Sequence, residues 1–172
     1  MNKRGQVWIE TVIYTLIGLT VVGLVLAGAL PKINAKKDEV MIDESIEALR
    51  HIDDKIYEVS RAAGNRRVVN LEIRKGALII DPEENVVSWV LDSSFAYSEP
   101  GVEISSGNIN VTTTEKGDYE VRLELGSSSN LTLDGGDSGE MRFDVAPIPY
   151  RLVIENLGLD TSSNKVIDFR EA

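Results

Sequence analysis

Hydrophobic residues dominate the start of the chain and then change their spacing twice. From Thr11 to Leu30 the sequence carries no ionisable side chain except Tyr14. At roughly 1.5 Å per helical residue, this stretch is long enough to cross a hydrocarbon layer of about 30 Å. It predicts a membrane-spanning helix, and the small residues near its end leave open a cleaved secretory signal as the alternative.

Pro31 follows the apolar run, and a kink or short break in the helix is predicted there. Beyond it, apolar residues recur mostly at intervals of three and four, with acidic residues between them. This spacing predicts an amphipathic stalk helix over residues 31–64, with a stop at Gly64 and Asn65. The apolar stripe is expected to cover the sheet of a head domain, and it comprises Val40, Ile42, Ile46, Leu49, Ile52, Ile56 and Val59.

Beyond Asn65 the hydrophobic period changes to two, as in the alternation of residues 119–125. Such alternation is typical of half-buried strands, and Gly, Pro, Asn and Asp mark turns between them. The fold class predicted is α+β: a long N-terminal helix followed by an antiparallel β-sandwich-like head over residues 65–172. Strands are predicted at 69–73, 78–80, 86–91, 102–104, 109–112, 119–125, 130–133, 141–145, 150–155 and 165–169.

The net charge of the chain limits the classes of partner that it can bind. The formal net charge is −10, and acidic residues outnumber basic ones in the head as a whole. An acidic head argues against nucleic acid as a partner and against docking on anionic lipid. The chain contains no cysteine, which excludes disulfides, thiolate nucleophiles and cysteine zinc sites.

The head offers little catalytic chemistry. It has no Gly-x-Ser-x-Gly elbow and no phosphate-binding loop, and His51 is the single histidine of the chain. The acidic loop 134–140 lacks the alternating acids of an EF-hand, so a polar turn is preferred to a calcium site. Trp89 and Tyr97 suit either a carbohydrate site or an aromatic core, and the core is favoured. We expect a protein that is not an enzyme and uses no cofactor or metal.

The residues before the apolar run carry a more specific pattern. Lys3, Arg4 and Gly5 directly precede Gln6, and Glu10 lies at the edge of the hydrophobic segment. Cations, a Gly-Gln junction and an acid at the fifth position after that junction resemble archaeal type IV pilin-like proteins with a class III, prepilin-type signal peptide. The resemblance is specific for residues 3–30 and covers the long-helix architecture to about residue 63.

This resemblance implies a division of the chain and a set of partners. Residues 1–5 are a leader that a prepilin peptidase removes between Gly5 and Gln6, residues 6–30 are the retained membrane and filament-core helix, and residues 31–64 are the stalk. A pilus assembly ATPase and a membrane platform then polymerise the subunit with itself or with related pilins. The precursor is expected in the cell membrane and the product in an extracellular surface filament.

Glu10 is the candidate assembly residue. A carboxylate costs several kcal/mol within a membrane helix, and an unpaired charge is penalised in an apolar bundle. The resemblance implies that Glu10 faces the new amine of Gln6, in its own or a neighbouring subunit, and sets the stagger. The alternative is a hydrated residue that favours the helix dipole. Cyclisation of Gln6 to pyroglutamate would remove the charged amine.

Two tripeptides, Asn110-Val-Thr112 and Asn130-Leu-Thr132, fit the N-glycosylation pattern, which makes Asn110 and Asn130 candidate acceptors.

The resemblance and the long-helix architecture together imply a structural subunit of an archaeal type IV pilus-like filament with an adhesive role. The alternatives are a minor pilin or surface binding module with the same signal, and an uncleaved single-pass protein that displays an extracellular β-domain.

Overall fold

The computed structural model describes residues 3–172, with side chains from Trp8 onward. Its first element is the helix α1, Lys3–Val59, with Pro31 inside it. The predicted break at Pro31 is therefore absent. Proline removes one backbone hydrogen bond, and the strong helix formers around it, such as Ala29 and Leu30, carry the helix across that gap.

The helix ends at Val59, five residues before the predicted stop. Asn156 Nδ2 donates to the carbonyl of Val59 at 3.0 Å and so satisfies one of the terminal carbonyls. Gly64 lies in the following turn with a φ of 81°, a conformation that suits glycine. Its N–H donates to the carbonyl of Asn156 at 2.7 Å, which ties the turn to the head.

Two compact units divide the chain, and the division falls inside α1, between Lys37 and Asp38. The second unit, Asp38–Ala172, contains the later part of α1 and the head. Within the described residues the head has ten strands, one at each position that the alternation predicted. They are β1 (Arg66–Leu71), β2 (Ala77–Asp81), β3 (Val86–Ser93), β4 (Glu103–Ser106), β5 (Ile109–Lys116), β6 (Asp118–Gly126), β7 (Asn130–Leu133), β8 (Met141–Asp144), β9 (Tyr150–Leu159) and β10 (Lys165–Glu171).

The strands form two sheets. One has the order β1-β9-β10-β7 and the other β4-β5-β6-β3-β2-β8. The α+β class is confirmed, but the head is not purely antiparallel, because β10 pairs with β7 in parallel. The chain forms β8 in the other sheet and β9 between these two strands, and such a long connection is what a parallel pair requires.

One hydrophobic core joins α1 to both sheets. In β6, buried Val121, Leu123 and Leu125 alternate with charged residues on the other face. The predicted stripe of α1 is buried from Ile42 to Val59, whereas Val40 is 42% exposed and lies outside it. The amphipathic part of α1 is thus a component of the head's core.

Polar contacts fix the same part of α1 to the head. Asp38 accepts hydrogen bonds from the backbone N–H and the hydroxyl of Ser94, both at 2.7 Å, and forms an ion pair with Lys75. Burial alone would raise the pKa of Asp38, but the bonds from Lys75 and Ser94 outweigh it and lower that pKa. Asp38 is thus held as a carboxylate at the first position of the second unit.

Candidate assembly segment and modification sites

The first part of α1 presents its apolar side chains to the outside. Residues 8–28 are all exposed, and Leu19 and Leu24 are 71% and 70% exposed. By length and composition this segment meets the requirement for crossing a membrane. Exposed apolar surface of this extent marks a surface that is covered by lipid or by other protein.

The apolar surface continues around the helix. Val21, Val22, Leu24 and Val25 are more than half exposed, and their positions point to several sides within little more than one turn. A helix that covers one core has a polar face, whereas this segment has none. It is therefore suited to an environment that is apolar on all sides.

Two of the polar side chains inside the segment are satisfied within the helix. The hydroxyl of Thr15 donates to the carbonyl of Thr11, and that of Thr20 to the carbonyl of Leu16, both at 2.8 Å. Such local bonds remove most of the cost of placing a hydroxyl in an apolar medium. The threonines are compatible with a membrane or a helix bundle.

Three glycines, Gly18, Gly23 and Gly28, interrupt this apolar surface. A methyl group added at any of them would meet no atom within 4 Å. Nothing within the chain therefore requires glycine at these positions. Small residues permit close approach of neighbouring helices, although a spacing of five spreads these three around the axis and forms no GxxxG face.

Glu10 lies on α1 at the start of this segment and is exposed. Lys3, Arg4, Gly5 and Gln6 are also part of α1, while their side chains lie outside the described part of the chain. Positions 6 and 10 are about one helical turn apart along the backbone. The pairing of Glu10 with the Gln6 amine, and cleavage after Gly5, remain predictions.

Asn110 is an outward position of β5, between Ser105 of β4 and Glu124 of β6. The hydroxyl of Ser105 donates to Asn110 Oδ1 at 3.0 Å. That bond does not use Nδ2, the atom to which a glycan attaches. Thr112, the third residue of this sequon, is half-buried and makes no hydrogen bond through its hydroxyl within the described residues.

Asn130 has a different environment although it has the same sequence pattern. Its Nδ2 donates to Asp160 Oδ2 at 2.7 Å. Thr132, the third residue of that sequon, is buried and donates to Asp168 Oδ1 at 2.9 Å. Both polar groups of the sequon are thus engaged inside the fold. The structure separates two sites that the sequence alone treats as equal.

The remaining candidates from the sequence belong to the core or the surface. Trp89 is buried, and its indole N–H donates to the carbonyl of Lys75 at 3.0 Å. Tyr97 packs against the core and its hydroxyl donates to Asp43 at 3.1 Å. The preference for an aromatic core over a carbohydrate site at these two residues is confirmed. His51 lies exposed on α1.

We compared the chain with models of protein families, with curated proteins and with solved structures, and none of them matches. The N-terminal residues and the surfaces described above are therefore the features that bear on the function of this chain.

Proposed function

We propose that this chain is a structural subunit of an archaeal type IV pilus-like surface filament with an adhesive role. A prepilin peptidase removes residues 1–5, and the apolar part of α1 anchors the mature subunit in the membrane before assembly. An assembly ATPase and a membrane platform then add it to a filament of identical or related subunits.

The observation that carries this proposal is the placement of the Lys3-Arg4-Gly5-Gln6 junction and Glu10 directly before an apolar, exposed helix segment. A simple membrane anchor requires apolar length only. A filament subunit also requires a helix whose surface is apolar on all sides, because neighbouring helices replace lipid around it. Residues 12–28 have that property, since the hydroxyls of Thr15 and Thr20 bond within the helix.

The later part of α1 supports the same proposal. From Ile42 to Val59 it is built into the core of the head, so the element that would enter the filament core also belongs to the folded domain.

Glu10 gives the proposal its most direct test. In the filament core its carboxylate loses most of its hydration, so a partner of opposite charge must compensate for that loss. We expect Glu10→Ala to leave insertion into the membrane intact and to reduce filament assembly at least about tenfold, which corresponds to roughly 1.4 kcal/mol for each subunit addition.

The experiment expresses the full chain in an archaeal host that has a prepilin peptidase. The sheared surface fraction is inspected by negative-stain microscopy, and the N-terminus is sequenced from the same gel band. Glu47→Ala is the matched control, because Glu47 is an exposed acid of α1 whose pair with Arg50 contributes little. Filaments whose subunits begin at Gln6, present in the control and lost in Glu10→Ala, support the proposal.

The opposite outcome identifies the main alternative. An uncleaved single-pass protein would keep Met1 on the surface-exposed product, and Glu10→Ala would not change its amount or its assembly state. That pair of results would replace the filament proposal with monomeric display of the head.

A further inference from the structure

An open groove of about 850 Å³ lies in the unit Asp38–Ala172. One wall is the last part of α1 with Asp53 and Tyr57, and the others are the loop Ser127–Ser129 and the β9–β10 turn that ends at Lys165. Its size lies within the range of pockets that bind small molecules. Neither cleavage nor assembly, as proposed above, uses any of these residues.

The walls of the groove are rich in groups that exchange hydrogen bonds. Hydroxyls come from Ser127–Ser129, amides from Asn108 and Asn164, and a carboxylate from Asp53. Asn108 Nδ2 donates to Asp53 Oδ2 at 3.0 Å, so this pair is held in place between α1 and the β4–β5 turn. Hydroxyl and amide groups both donate and accept, which matches a ligand that carries many hydroxyls.

Tyr57 supplies the exposed apolar surface of the groove. It is 65% exposed, whereas Ile56 and Leu125, the other large apolar side chains in the walls, are 9% and 1% exposed. The Arg61 guanidinium lies over one face of the Tyr57 ring, 5.3 Å from its centre, which leaves the other face for a ligand. An exposed aromatic face beside polar groups suits a ligand that has both an apolar face and a polar edge.

The charges of the groove disfavour several other ligands. Among the lining side chains Asp53 and Asp54 oppose Lys165, and Arg61 lies beside Tyr57, so the groove has no excess of cations to bind phosphate groups or nucleic acid. Within the described residues no group of three or more His, Cys, Asp or Glu side chains is placed to hold a metal ion. A lipid chain would require a deeper apolar pocket than one exposed ring provides.

We infer that this groove binds a short, neutral oligosaccharide. The C–H face of one sugar ring packs on Tyr57, and the hydroxyls at its edge bond to Asp53, Asn108 and the Ser127–Ser129 loop. A single chain contains the complete groove, so binding does not require assembly, and the inference does not depend on the filament proposal.

The test uses the full-length chain, unassembled, in a zwitterionic detergent, because detergents with sugar head groups would compete for the groove. An array of neutral and acidic oligosaccharides serves as the probe, and calorimetry then measures the affinity of the neutral glycans that bind. We expect neutral glycans to be retained and Tyr57→Ala to weaken their affinity about tenfold. Tyr119→Ala, which alters a half-buried tyrosine of β6 outside the groove, is expected to bind like the parent chain.

A second variant keeps the test decisive if Tyr57→Ala misfolds. Ser128→Arg fills the groove from an exposed loop position and is expected to abolish binding while the melting temperature is unchanged. Three results would overturn the inference: no array glycan retained by the parent chain, equal binding by the parent chain and Ser128→Arg, or binding restricted to acidic glycans. Each of these would leave the filament proposal intact, since the protein is tested before assembly.

Discussion

The two parts of α1 are one helix with opposite relations to their surroundings. In residues 8–28 every side chain is exposed and most are apolar. In residues 42–59 a narrow apolar stripe is buried, and acidic residues on the other face bond to the head. Helix formation is therefore common to both parts, whereas the distribution of polar residues decides what each part can contact.

The two parts of α1 differ in whether their side chains find contacts within the chain. The stalk part finds its partners within its own head, including Asp38 with Ser94 and Asn156 with the carbonyl of Val59. In the apolar part the hydroxyls of Thr15 and Thr20 bond within the helix, and the large side chains are exposed. Substitutions in the two parts should consequently change different measurements.

The largest difference is expected from leucine truncation. Leu49 is fully buried, and Leu49→Ala should lower the free energy of unfolding of the head by about 3 kcal/mol through lost burial and a residual cavity. Leu24→Ala, at a residue 70% exposed, should change it by less than about 0.5 kcal/mol. Urea unfolding of the full chain in detergent, followed by Trp89 fluorescence in a Trp8→Phe background, gives both values. Equal losses would show that the apolar part also stabilises the head.

A smaller effect is expected at Asp38, at the start of the second unit. Its carboxylate has three charge-assisted contacts and a lowered pKa, so Asp38→Asn should cost about 1–3 kcal/mol at pH 7. A lowered folded-state pKa gives stability that is complete above the ordinary value of 3.8 and is lost as the pH falls through the folded-state value.

The pH dependence is measured by urea titration at pH 7 and at pH 3. The difference between the parent chain and Asp38→Asn should shrink at the lower pH. Glu47→Gln is the control, because its exposed pair with Arg50 should contribute less than about 1 kcal/mol. A difference that persisted unchanged at pH 3 would mean that the charge of Asp38 is not what holds this contact.

Sequence periodicity predicted much of this molecule because its signals are local. The alternation in β6 and the stripe from Ile42 to Val59 each follow from the spacing of neighbouring residues, and both are present. Pairing between distant strands has no such signal. The parallel contact of β7 with β10 depends on how the chain crosses between sheets, so the antiparallel expectation was wrong for that pair.

The candidate sites, too, could be predicted only where their residues are neighbours in the sequence. No sequence pattern distinguishes Tyr57 from other residues of the stalk, because Asn108, Ser127–Ser129 and Lys165 come close to it only in the tertiary fold. Trp89 and Tyr97, the aromatic residues that the sequence did single out, are part of the core. The N-terminal junction is the reverse case, since its pattern lies within a few adjacent residues and needs no fold to be recognised.

The smallest effects on stability are expected at the two sequons of the head. They repeat the contrast between the two parts of α1, because one asparagine uses its Nδ2 within the fold and the other does not. Asn130→Gln breaks a 2.7 Å bond to Asp160 and should cost about 1 kcal/mol without removing the mass of a glycan from the surface protein. Asn110→Gln should change stability by less than about 0.5 kcal/mol and remove the mass of one glycan, since Nδ2 of Asn110 is not used by its bond to Ser105. Intact-mass spectrometry of protein from a glycosylating archaeal host distinguishes the two variants. A glycan lost from Asn130→Gln instead would mean that modification precedes folding of β7, because the folded strand keeps both Asn130 and Thr132 engaged.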